Sequence, residues 1–147
     1  MTATDPRADY AAFTENLIEH FRANGGKVVD FPPFTDKPLL LLHTVGAKSG
    51  ETRIAPLMFS RDGDRYVIMA SKGGAPEHPS WLANLEANPE VTVEADGDTF
   101  AARAHVYREG AERDRLWAAH VAMHPQFNDY LAKTSRVIPA VALERIR

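Results

Sequence analysis

Apolar and polar positions change period along this chain, and the changes mark its elements. Near the start, Tyr10, Phe13, Leu17 and Phe21 recur at spacings of three and four, the repeat of a helix with one buried face. Asp5 stands where a cap belongs, Pro6 suits a first turn and Gly25-Gly26 closes the pattern, so a helix is predicted over about residues 6–24. Pro32-Pro33 keeps the next stretch extended. Strand patterns then dominate. Residues 39–45 form an apolar run short enough for a buried strand, followed by the turn Gly46-Ala47-Lys48-Ser49-Gly50. Residues 53–60 read as a second strand, in which Pro56 marks an edge or a bulge. Asp62-Gly63-Asp64 is a hairpin turn into a third strand over 65–71, and Lys72-Gly73-Gly74-Ala75-Pro76 is a loop.

Pro79 starts a short helix with Trp81, Leu82 and Leu85 on one side, and Asn88-Pro89 stops it. Residues 91–95 and 99–107 form a hairpin about Asp96-Gly97-Asp98. Residues 109–123 are helical with Leu116, Trp117 and Val121 inward, His124-Pro125 breaks that helix, and 126–134 add one or two turns. Residues 137–146 read as a last strand, with Pro139 again pointing to an edge. About six strands, mostly in antiparallel hairpins with helices between them, predict a mainly β (α+β) single domain over 1–147, a small closed or half-closed barrel. The alternating pattern of a doubly wound sheet is missing, as is a Gly-x-Gly-x-x-Gly after the first strand.

Composition narrows the function classes. A net charge of -3 does not favour nucleic acid or anionic lipid, although a local cationic pocket fits within it. The absence of cysteine removes disulfides, thiolate nucleophiles and cysteine-ligated metals. The first ten residues lack the basic flank and apolar run of a secretory signal, and the apolar run Leu39 to Leu42 is far short of the roughly 20 residues of a spanning helix. A soluble, cytoplasmic protein is expected. In the first helix region Arg7, Arg22 and Lys27 are offset by Asp5, Asp9, Glu15 and Glu19, which disfavours a membrane-surface role.

Four places hold candidate chemistry. From Gly46 to Arg53, two glycines bracket Lys48-Ser49 and Arg53 adds a second cation, a pattern that suits an anion and equally suits a solvated hairpin turn. Ser71-Lys72-Gly73-Gly74-Ala75 leaves a strand with two glycines that let a ligand approach the backbone, or it is a plain connection. Trp81, with Asn84 and Leu85, is core or the flank of an aromatic cofactor. Met123, His124, Phe127, Tyr130 and Leu131 are ordinary packing or the wall of a pocket for a flat apolar substrate. His120 and His124 are four apart, but no third ligand accompanies them and Pro125 breaks the helix, so no metal site is expected. None of the serines sits in a Gly-x-Ser-x-Gly elbow.

In their order, Thr44-Val45-Gly46-Ala47-Lys48-Ser49-Gly50-Glu51-Thr52-Arg53, Pro56-Leu57, Ala70-Ser71-Lys72-Gly73-Gly74-Ala75, His78-Pro79-Ser80-Trp81 with Asn84-Leu85 and Asn88-Pro89, then Tyr130 and Val137-Ile138-Pro139-Ala140-Val141, resemble the deazaflavin-dependent nitroreductase family, whose members use coenzyme F420. The resemblance runs from Pro38 onward. It implies a split β-barrel related to flavin-mononucleotide-binding barrels. It also implies hydride transfer from reduced F420 to a quinone, an α,β-unsaturated lactone or enone, or a nitroaromatic. It implies that the anionic arm of the coenzyme meets Lys48, Ser49, Gly50, Arg53, Ser71, Lys72, Gly73 and Gly74, and that the ring meets Pro56, Leu57, Met58, Ala70 and Trp81. His124, Phe127 and Tyr130 become the substrate wall, with Tyr130 or Ser71 as the proton source. Relatives that activate nitroimidazoles carry tyrosines where this chain has His124 and Phe127, so quinone or enone reduction fits better. The competing readings are a barrel that binds flavin mononucleotide or haem, and a non-catalytic F420 carrier. Oligomeric state is open.

Overall fold

The hydrophobic repeat near the start forms helix α1, Pro6–Ala23, in a computed structural model that describes residues 6–32 and 34–146. The expected cap Asp5, and Pro33 of the proline pair, lie outside those residues. Leu17 and Phe21 of α1 are buried with Val28 against Leu39 and Leu41, and Phe13 and Ile18 pack around them. The helix thus covers one face of strand β1, Leu39–Val45. Leu40 and Leu42 point the other way into the main core, which is why four consecutive leucines occur in one strand.

Six more strands follow: β2 Thr52–Met58, β3 Ser60–Asp62, β4 Arg65–Met69, β5 Glu90–Ala95, β6 Asp98–Tyr107 and β7 Ala140–Arg145. All pair antiparallel in the order β2-β1-β5-β6-β7-β4-β3. β2 and β3 are the two edges of the sheet, yet Phe59 alone separates them in sequence. The sheet is therefore curled into a split barrel whose edges meet at one corner, where the Phe59 N–H donates to the Pro38 carbonyl at 3.1 Å. Alternate residues of β4, β5, β6 and β7, among them Ile68, Val93, Ala102 and Leu143, fill the interior. Helix α2, Ser80–Ala87, contributes Trp81, Leu82 and Leu85 to the same core.

Helix α3, Ala111–Met123, and the short α4, Asn128–Leu131, flank the outer face of β4 and β7. There Leu116 and Phe127 pack with Val67, Met69, Ile138 and Ala140.

Two expectations are corrected. Residues 53–60 are not one strand: the chain leaves β2 after Met58, turns at Phe59, and Ser60 pairs with Val67 in a new hairpin. Pro56 does sit on an edge strand, opposite Leu41, where its missing N–H leaves no ladder bond unmade. Pro139, by contrast, does not mark an edge. β7 lies between β6 and β4, and Pro139 stands just before it, outside the ladder, its carbonyl accepting the Ala70 N–H at 3.0 Å.

Candidate functional site

The hairpin between β1 and β2 closes through the glycines that bracket Lys48-Ser49. The Gly46 N–H donates to Glu51 O at 2.8 Å and the Gly50 N–H to Gly46 O at 2.9 Å. Gly50 adopts φ +72°, and a Cβ at Gly46 would collide with the Ser49 hydroxyl. The turn is pinned from outside by the buried Asn84 of α2, whose Oδ1 accepts the Ala47 N–H at 3.0 Å and whose Nδ2 donates to Thr44 Oγ1 at 3.2 Å. Among the described residues, the amides of Lys48 and Ser49 carry no protein partner. A cleft of about 510 Å³ lies between this turn, β2 and α2, lined by Lys48, Ser49, Arg53, Ala55, Trp81 and Asn84 among others. Arg53 forms an exposed ion pair with Glu51 at 3.0 Å, a contact that water screens and a ligand can replace.

Trp81 connects the cleft to the second candidate loop. It shares the main core with Ala70, and Ala55 and Leu57 lean on that core from β2. Past Ala70 the chain makes one 3₁₀ turn, Lys72–Gly74, and runs to Pro79 at the head of α2. Ser71 is buried. Lys72 has a left-handed φ of +47° and pairs with Glu77 at 2.9 Å. Gly74 has φ +85°, and its Cβ position lies 3.3 Å from the Tyr130 backbone and 3.0 Å from the Lys133 side chain. Tyr130 thus stands directly beside this loop. Burial, with Asp129 adding, raises the Tyr130 phenol above its ordinary range.

Arg136 holds the loop from the far side. Its Nε donates to Ala75 O at 2.9 Å, and its Nη2 to Ala70 O at 3.1 Å and Ser71 O at 2.9 Å. Its Nη1 is 2.9 Å from His78 Nδ1. Sequence reasoning passed over Arg136. An isolated arginine whose partners are backbone carbonyls some sixty positions away leaves no local pattern.

Lys48, Ser49, Arg53 and Trp81 come together in the cleft; Ala70 shares the main core with Trp81, and Leu57 packs against that core. Gly50 and Gly74 spend their own N–H groups inside their turns. Pro56 and Met58 alternate with Leu57, and Met58 packs against the outer clusters, where Gln126 Nε2 approaches its sulfur at 3.7 Å. His124 and Phe127 are buried, with only Tyr130 of that trio half exposed. His124 Nε2 donates to Phe59 O at 2.9 Å, and His120 Nδ1 lies 2.7 Å from Ser60 Oγ. The two histidines therefore dock α3 on the corner between β2 and β3. A larger cleft, about 690 Å³, lies at the opposite end of β4. Its cations Arg61, Arg65 and Arg145 are already paired with Asp96, Asp62 and Asp98, and Asp64 and Glu144 line it as well, so it suits an anion less than the turn does.

A family model described as F420H(2)-dependent quinone reductase matches residues 14–145. An F420H(2)-dependent quinone reductase of Mycobacterium tuberculosis is 42% identical over 110 residues, 74% of this chain and 74% of the relative. A solved F420-H2 dependent reductase superposes with a TM-score of 0.66 at 41% identity, covering 73% of this chain and 94% of that one. A second solved chain, described as a domain-swapped dimer, gives 0.68 at 34% identity and covers 94% and 99%. With the split barrel and the cationic turn beside Trp81 in place, these similarities make the chain an oxidoreductase that uses reduced coenzyme F420, a member of the F420H(2)-dependent quinone reductase family.

Proposed function

We propose that the cleft between the 46–50 turn, β2 and α2 holds the coenzyme, and that the hydride acceptor is a quinone or a similarly flat enone, lactone or nitroaromatic. The observation that carries this reading is the convergence of Lys48, Ser49 and Arg53 on one cleft with Trp81. The donor set fits the coenzyme. Two cations and the amides of Lys48 and Ser49 suit a phosphate-bearing, acidic arm. Ala55, Leu57, Ala70 and Trp81 suit a flat ring, and to Ser71, Lys72, Gly73 and Gly74, which follow Ala70 in the chain, we assign the adjoining wall.

When bound, the reduced deazaflavin supplies a hydride on carbon. The chain contributes orientation and exclusion of water. Tyr130, packed against the buried Phe127 at a ring distance of 5.1 Å, faces the acceptor. His124 supports it only indirectly, through its own contact with Phe127. With its phenol held protonated at neutral pH, Tyr130 donates a hydrogen bond to the acceptor oxygen, and either it or the Ser71 hydroxyl delivers the proton.

Titration with oxidised F420, read by fluorescence, tests the cleft. Lys48→Ala or Arg53→Ala is expected to weaken binding by about 1–3 kcal/mol, the range for charge-assisted bonds. Unchanged affinity in both variants would place the arm elsewhere. Acceptor-dependent oxidation of the reduced coenzyme across quinones and enones separates the reductase from a carrier, which binds without turnover.

A further inference from the structure

The 71–75 loop does not hold its own shape. Lys72 sits in a left-handed conformation, φ +47°, that is unfavourable for a side-chain-bearing residue, and such strain persists only where the surroundings impose it. The bonds inside the loop are two short-range ones, Gly74 N–H to Ser71 O and Ala75 N–H to Lys72 O. From outside, Lys72 pairs with the exposed Glu77 and Gly74 lies close to Tyr130 and Lys133, while the Arg136 guanidinium reaches three carbonyls across the loop, those of Ala70, Ser71 and Ala75.

The fourth partner of Arg136 is a proton-sensitive one. A guanidinium only donates, so His78 Nδ1, 2.9 Å from Arg136 Nη1, must carry a lone pair. The shorter contact takes the one lone pair, so the imidazole proton sits on Nε2, and the 3.4 Å approach of Arg108 Nη1 to that nitrogen sets donor against donor rather than making a hydrogen bond. Arg108 is held in turn by Glu86 of α2, at 2.9 Å through Nε. Glu77, next to His78, is engaged by Lys72. Among the described residues, two arginines and no directly bonded carboxylate therefore face the ring. Burial, reinforced by those arginines, holds the imidazolium below its ordinary range.

We propose that Arg136, docked on neutral His78, is a positioning residue for the coenzyme: it sets the 71–74 loop in the one shape that receives the anionic arm, and protonation of His78 releases it. Four of the five N–H donors of Arg136 are spent on carbonyls and on His78, so it acts on the coenzyme chiefly through the loop. Its charge remains, and it adds positive potential behind the loop. The inference rests on the proposed placement of the coenzyme against Ser71 to Gly74. A second proton on His78 would turn Nδ1 into a donor aimed at Arg136, and the ring would have to leave.

The test measures the dissociation constant of oxidised F420 by fluorescence titration between about pH 5 and 8, a range that brackets an ordinary imidazole. The proteins are wild type, Lys72→Ala, Arg136→Lys, Arg136→Met and His78→Asn. Arg136→Lys keeps the charge and loses the fork, so both Arg136 variants are expected to bind about tenfold or more weakly at pH 7.5. His78→Asn keeps an acceptor at the Nδ1 position but cannot be protonated. The ratio of its constant to that of wild type, taken at each pH, cancels any titration of the coenzyme itself. Wild type is expected to lose affinity relative to His78→Asn as the pH falls below about 6.5. A flat ratio, or folded Arg136 variants within about twofold of wild type while Lys72→Ala binds weakly, overturns the clamp and leaves the site reading intact. If Lys72→Ala and both Arg136 variants all bind as wild type, the loop is outside the site and both readings fall. If the Arg136 variants do not fold, the His78→Asn ratio decides alone.

Discussion

A single amide side chain decides the shape of the cationic turn. Asn84 accepts from Ala47 and donates to Thr44 from a buried position, so truncation would strand an N–H and a hydroxyl. Asn84→Ala is expected to cost about 1–3 kcal/mol of stability, measured by urea denaturation, and to weaken F420 binding because Lys48 and Ser49 lose their fixed direction. Stability equal to wild type would mean that the turn is held by its own two backbone bonds. Tyr130→Phe is expected to change the ranking of acceptors more than coenzyme affinity. Comparing kcat/KM across quinones and enones with the binding constant checks this, and the reverse pattern would move Tyr130 out of the acceptor wall. At this scale, residue types were legible and partners were not. Gly46, Lys48, Ser49, Gly50 and Arg53 announced a turn with charge, but nothing local points to Asn84 as its anchor. Arg136 gave no signal at all, since carbonyl recognition depends on chain path rather than residue identity.

Among the elements, the strands with strong alternation or a closed apolar run were read well. β1 has the boundaries its leucine run implied, and β5 and β6 begin within a residue of expectation. The errors fall where proline or a tight corner carried the inference. Pro56 marks a true edge, whereas Pro139 precedes a central strand, and sequence alone does not separate a proline inside a ladder from one just outside it. The break at Phe59 was hidden because a turn made by one residue leaves apolar patterning uninterrupted. The 3₁₀ turn Lys72–Gly74 offers the test proper to this scale. Gly74→Ala puts a Cβ at φ +85° and 3.3 Å from the Tyr130 backbone, so a loss of about 1–2 kcal/mol is expected. A thermal unfolding midpoint unchanged from wild type would show that the loop relaxes without consequence.

Over the whole molecule, acid is expected to weaken the fold through histidine before the carboxylates matter. Burial, with His124 nearby, pushes the His120 imidazolium down to about 3. An unfolded histidine titrates near 6.5, so below that value the unfolded chain takes up a proton that the folded one refuses. The His120 contribution is thus fully present above about pH 6.5 and is lost as the pH falls, by at most about 1.4 kcal/mol per unit. His78, also lowered, acts with the same sign. Glu94 is held low chiefly by the Arg22 hydrogen bond, so its share is lost only further down, as the pH falls through the carboxylate range. Urea denaturation at pH 7 and 5.5 checks this, with His120→Phe expected to show a shallower loss. A wild-type stability that stays level across that interval would mean that His120 reaches solvent.

The position of β7 has a consequence for how the chain is made. The strand that joins the two halves of the sheet is made after the other six described strands, and it contacts β6 on one side and β4 on the other. Until residues 140–145 exist, the hairpin of β3 and β4 has no ladder to the rest, and two inner strand edges stay open. A nascent or truncated chain lacking that segment presents adhesive rims to its neighbours, so shielding by chaperones matters until residues 140–145 have emerged and docked.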